Sequence, residues 1–293
     1  LDELENIEIT IDAAQEAVEN GVLFTSEREL ELGKLSVISG SYARAKSHLE
    51  QAKRGFENAE NWEGMVKAMI ELAVLYRTLG DDEDARNLVE QCCEISKSKN
   101  LESCLAASYK MFGNICRVDE QLKAEQFYND AMQIYKKLND ENGIAEIYHN
   151  LGIILKDNGL LDKAENFNNR SYEVKKKNNN KKGQCASLNQ FGQIEKKRGN
   201  VLAAISYYKK ALNIEIEINY NNGKAVTHSN LANSYKYMGD FEAARFHLTE
   251  AIAIRQEIGL GFQAINGKRK MASYLMKEKK YNEAELILKE LIS

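Results

Sequence analysis

Proline is absent from all 293 residues. Average usage of about 5% would supply roughly 15. That alone excludes collagen-like and mucin-like chains, and a set of domains strung on Pro-rich linkers. Long apolar runs are also missing. No stretch reaches the roughly 18 residues that a transmembrane helix needs, and no charged-then-apolar leader opens the chain. The first residue is Leu1 rather than Met, which predicts an excised or processed piece of a longer protein. The five cysteines, Cys92, Cys93, Cys104, Cys116 and Cys185, form neither an even framework nor a CxxC pair. With so much core available, they are expected as reduced thiols packing like small apolar side chains, in a cytoplasmic setting.

Catalytic signatures are missing as well. There is no G-x-x-x-x-G-K-[ST] loop, no G-x-G-x-x-G and no H-E-x-x-H. His48, His149, His228 and His247 have no companion ligands at metal-binding spacing. No enzyme activity, cofactor or metal is expected. His228 is expected half-buried, His247 on a second helix, and Trp62 in a loop, packed over the preceding helix.

What is present is ordinary in bulk and ordered in detail. A hydrophobic fraction of 43% and a charged fraction of 29% suit a globular protein. The net charge of −4 hides a gradient: residues 1–63 sum to −8 and residues 144–240 to +6.

A period of about 40 residues runs through the chain. A large apolar residue precedes Gly33, Ala73, Gly113, Gly152, Gly192, Ala232 and Ala272. Eleven or twelve residues further lie Ala45, Ala85, Ala124, Ala164, Ala204, Ala244 and Ala284. Five residues before each alanine stands a turn signal, Gly40, Gly80, Asp119, Gly159, Gly199, Gly239 and finally Lys279. Met65, Met69, Leu72, Ala73 and Tyr76 form one helical stripe, and Ala85, Val89, Cys92 and Ile95 a second. Such two-helix units cannot bury their apolar faces alone and must stack.

The pattern Leu72-Ala73…Tyr76, Leu231-Ala232…Tyr235 and Ala204…Tyr208…Ala211 resembles the tetratricopeptide repeat family. Two departures stand out. The period is about 40 rather than 34, and the proline that closes the family's second helix is missing from every unit. Both predict a second helix longer by about one to two turns. This is similar to the long-repeat members: spindle-orientation adaptors, kinesin light chains, bacterial peptide receptors and sensor arms of signalling ATPases. The resemblance implies an all-α fold, a right-handed superhelical solenoid of about seven helix-turn-helix repeats over residues 25–293 in one continuous array. Residues 1–24 would be a capping helix, or the tail of an upstream repeat, with an apolar stripe of Leu4, Ile7, Ile11, Ala14 and Val18.

In that family the first helices line a concave groove. The corresponding positions lie three and two residues before the Gly/Ala mark, and one and four after it. In units three to seven they include Lys110, Asn114, Arg117, His149, Asn150, Lys156, Asn189, Gln190, Gln193, Lys196, Asn230, Asn233, Lys236, Arg269 and Lys270, with no carboxylate. Amides can both donate to and accept from a peptide backbone, and a lysine row attracts acidic groups. The expected function is therefore a protein–protein interaction module that holds an extended, acidic peptide or partner segment. The chaperone-type carboxylate clamp is incomplete: Lys110, Asn114 and Asn150 match it, but Ala186 and Gln190 do not. Two alternatives remain. One is a nucleic-acid-binding helical array, disfavoured by a pI of about 5.8. The other is the sensing arm of a signalling ATPase or kinase whose catalytic part lies outside this chain. No membrane partner is expected. Self-association is left open by the apolar last helix with Leu286, Leu288 and Leu291.

Overall fold

Two helices and two short turns fill each period. The computed structural model describes residues 25–291, so the expected N-terminal helix lies outside the described residues. Seven helix pairs follow one another, with no strand among the described residues. They are α1 (Ser26–Ser39) with α2 (Tyr42–Asn58), α3 (Trp62–Leu79) with α4 (Asp82–Ser98), and α5 (Glu102–Cys116) with α6 (Gln121–Lys137). Next come α7 (Glu141–Asp157) with α8 (Leu161–Lys177), and α9 (Lys181–Lys197) with α10 (Val201–Glu217). The last are α11 (Asn221–Tyr237) with α12 (Phe241–Glu257), and α13 (Gly261–Lys277) with α14 (Tyr281–Glu290).

The added length is not confined to the second helix, as expected from the missing proline. From α7 to α13 every helix, first or second, has 17 residues. Turn chemistry explains how helices stop without proline. First helices other than α5 end on a left-handed residue such as Gly80 (φ 97°) or Gly199 (φ 89°). Second helices α4, α6, α8 and α10 end on left-handed asparagines, Asn100, Asn139, Asn179 and Asn219, the non-glycine residue that tolerates this region best, while α2 ends on Glu60 and α12 on Gly259. Next-helix starts are capped by side chains: Asn61, Asp140, Asn180 and Asp240 accept from the backbone N–H three residues on, at 2.9–3.0 Å. Trp62 is accordingly the first residue of α3 rather than a loop residue. Its ring packs against the core with the Lys99 ammonium 4.3 Å from its centre.

The described helices form two compact units that divide after Ile154. Within the first, α1 to α6 pack each on the next, and first helices α1, α3 and α5 also touch in sequence. Leu49, Phe56, Met65, Met69 and Leu75 are buried between α2 and α3. The second unit repeats the arrangement, with α9 directly on α11 and Ile205, Tyr208 and Leu231 buried together. All five thiols are free and buried, and burial pushes Cys92 and Cys185 up to about 12. No described helix is long and apolar enough to cross a membrane.

The recurring mark is a contact between helices of a pair. A Cβ on Gly113 would lie 2.4 Å from the Tyr128 ring, and one on Gly192 2.4 Å from the Tyr208 ring. Where the mark is alanine, the opposing side chain is smaller or more pliant, Val89 for Ala73 and Leu248 for Ala232. Tyr128 and Tyr208 are among the largest fully buried side chains, so neither ring can swing aside. Gly→Ala in a helix interior ordinarily gains up to about 1 kcal/mol. Gly192→Ala is expected instead to destabilise by about 1–3 kcal/mol through overpacking, read by chemical denaturation. A gain in stability would contradict the contact.

Candidate functional site

The expected face divides into residues that tie first helices together and residues that remain unpaired. In the first unit, Asn114 Oδ1 accepts from Tyr128 Oη at 2.8 Å and from Asn150 Nδ2 at 2.9 Å. Lys110 pairs with Glu146 of α7. Burial works against the lysine charge, but Glu146 outweighs it and holds the Lys110 pKa above its usual value. Glu31 and Lys34 pair at 2.7 Å. Glu71 lies nearby with its pKa raised, chiefly by burial and against the pull of Lys34 and Lys110. Arg77 is lowered by burial and then by the charge of Arg117. His149 is half-buried. This face thus carries both signs: Lys110 and Lys34 are paired with carboxylates, while Arg77 and Arg117 have no ion pair among the described residues.

In the second unit, three residues expected on the open face are buried: Lys156, Asn189 and Gln190. Lys156 donates to Gln193 Oε1 at 2.5 Å and lies 3.3 Å from Asp157. Asn189 donates through Nδ2 to Thr227 Oγ1 at 2.7 Å and reaches Glu215 Oε1 at 3.3 Å, while its Oδ1 accepts from Asn230 at 3.1 Å. Its amide is fully used inside the stack. Gln190 is 2% exposed with neither amide atom hydrogen-bonded among the described residues, a costly arrangement for a polar group. Asn233 Oδ1 accepts from Tyr274 Oη at 3.0 Å, so the amide N–H pair stays available.

Three lysines of the second unit form an unpaired group. Lys196 is half-buried and Lys270 exposed. Lys236 holds its ammonium 4.6 Å from the Tyr274 ring centre. None of the three has a carboxylate partner among the described residues. Burial lowers the Lys196 pKa, and the charges of Lys236 and Lys270 lower it further. Lys236 is lowered by burial, then by Lys277 and Lys270. The lysines feel one another and no acid, the arrangement that draws an anion. Arg269 is exposed, 3.5 Å from Asn266 Oδ1.

Two clusters were not anticipated. His228 is buried and its Nδ1 lies 3.0 Å from that of His247, with Tyr235 stacked on His247. Burial, His228 and Lys209 push His247 down to about 4, which makes the pair a neutral packing contact rather than an acid–base couple at neutral pH. No metal-binding group of three or more ligands occurs among the described residues. The second cluster centres on Glu215, 1% exposed, which accepts from Thr227 Oγ1 at 2.9 Å and leaves Oε2 unbonded. The register held its only signal. Glu215 follows Ala211 by four, where other units place Phe56 or Tyr135 on the glycine that opens the next helix.

Burial raises the Glu215 pKa from 4.5 to about 7. A raised acid contributes stability that is full below pH 4.5 and lost as pH rises to about 7. The loss is on the order of 3 kcal/mol above that range. Glu215→Gln keeps the acceptor that Thr227 and Asn189 use and removes the charge. It is expected to raise Tm at about pH 8 and to flatten the decline between about pH 5 and 7, read by thermal denaturation. A lower Tm at about pH 8 would contradict this account of the cluster.

Known proteins share this fold. Two Rap structures overlay with a TM-score of 0.71: Rap protein complexed with competence and sporulation factor (17% identity, 95% of this chain and 78% of that one), and the Rap conjugation gene regulator of plasmid pLS20 with the Phr* peptide (16% identity, 91% and 72%). A signal transduction ATPase with a tetratricopeptide repeat sensor, from Pyrococcus horikoshii, overlays at 0.63 with 19% identity; 99% of this chain spans 44% of that one. At these identities the likeness is one of fold. No curated protein sequence matches the chain. The Tetratricopeptide repeat family model matches residues 29–98, 104–177 and 183–257. With the 40-residue register and the stacked helix pairs, that match places the chain in the tetratricopeptide repeat family.

Proposed function

We propose that the chain is a protein–protein interaction module that holds an extended, acidic segment of a partner against the first-helix face, centred on Lys196, Asn233, Lys236 and Lys270. The observation that carries this reading is the set of lysines with no carboxylate partner on the second unit. Grouping like charges costs free energy unless an anion neutralises them. Asn233 adds free N–H donors for a ligand carbonyl. By their own descriptions, one Rap structure is in complex with the Phr* peptide and the other with competence and sporulation factor; the first supports this class of ligand. Lys156, Asn189 and Asn150 act behind the face, holding the first helices in place. Gln190, Gln193, Asn230 and Arg269 flank the centre within the second unit; Lys110, Asn114, Arg117 and His149 are the corresponding ligand-facing candidates on the first unit.

Lys196→Glu with Lys236→Glu reverses the charge without touching a buried bond. Binding of a labelled glutamate-rich peptide, followed by fluorescence anisotropy, is expected to weaken at least about tenfold (about 1.4 kcal/mol) with helicity unchanged. A labelled single-stranded RNA of equal charge is expected to bind more weakly than the peptide. Equal peptide binding by the variant, or tighter binding of RNA, would sink the proposal.

A further inference from the structure

The spacing and fixation of the lysines bear on the ligand's conformation and sequence, an inference that rests on the acidic-segment reading above. Lys196 and Lys236 occupy the same register position, four residues after the marks Gly192 and Ala232. Their helices, α9 and α11, pack directly on one another. Packed helices stand about 8–10 Å apart, so the two lysine stems leave the face at about that interval. Both side chains are partly restrained. Lys196 is half-buried, and Lys236 is held over the Tyr274 ring, itself tied by its hydroxyl to Asn233.

An extended ligand can meet this interval in few ways. In a β-strand, side chains on one edge recur every second residue, at about 6.6 Å, or every fourth, at about 13 Å. Neither matches. In the polyproline II conformation three residues complete one turn with a rise of about 3.1 Å each, so one edge recurs every third residue at about 9 Å. That conformation has no internal hydrogen bonds, which leaves the ligand carbonyls free for the Asn233 amide N–H. The geometry points to a partner segment bound in the polyproline II conformation, with acidic side chains three residues apart facing Lys196 and Lys236.

The test is selection of a random 12-residue peptide library on the full chain, followed by the same selection on Lys196→Gln. Enriched peptides are expected to carry Asp or Glu at i and i+3 at least about fivefold more often than at i and i+2 or i and i+4. On Lys196→Gln the i, i+3 preference is expected to vanish while single acidic residues persist. Circular dichroism of the variant checks that it folds, and Lys236→Gln repeats the comparison from the other lysine. Acidic peptides with no preferred spacing, or with a spacing of two or four, would overturn this inference and leave the acidic reading standing. An i, i+3 preference that survives both variants would also overturn it, since other residues would then set the spacing. Enrichment of peptides without acids would overturn both.

Discussion

The approach of a second-helix side chain onto a bare stretch of first-helix backbone is the contact on which the rest depends. Tyr128 on Gly113 and Tyr208 on Gly192 leave no room for a methyl group. A helix pair set that close presents its first helix at a fixed depth, and the next pair must match it. A second close approach joins consecutive pairs: Phe56 lies on Gly64, Tyr135 on Gly143 and Lys175 on Gly183. Local sequence thus sets helix spacing, and helix spacing sets the interval at which functional side chains appear. Such nearest-neighbour coupling is how stacked repeats accumulate stability.

Polar groups on the first helices serve two purposes that position alone does not separate. Asn150 bonded to Asn114, and Asn230 bonded to Asn189, join adjacent first helices. A buried amide that meets its partners fixes the register of what it joins. Lys196, Lys236 and Lys270 meet no acid among the described residues, and their mutual repulsion is a cost that a bound anion would relieve. Rigid bonding behind and unpaired charge in front is the arrangement expected of a preorganised interaction surface.

Much of the fold was legible because its constraint is one of size. Only Gly or Ala fits where helices nearly touch, and that requirement recurs at a fixed interval whatever the surrounding residues. Helix stops were legible for a similar reason, since left-handed turns select Gly and Asn. The site was less legible because pairing depends on neighbours 36 to 41 residues away in sequence. The expected stripe in units three to seven is free of carboxylates, yet Lys110 is neutralised by Glu146, three residues outside it. Asn189 and Gln190 lie at the border of the packed side, where a small rotation of the helix decides between burial and exposure. Glu215 defied its register, and only its three-dimensional partners explain why a carboxyl is tolerated there.

The central claim is that ligand meets the first helices of the second unit. Hydrogen exchange of the full chain with and without a saturating acidic peptide tests it most directly. The account predicts added protection in α9, α11 and α13, with α10 and α12 unchanged. Protection confined to the second helices, or absent from both sets while the peptide is bound, would contradict it.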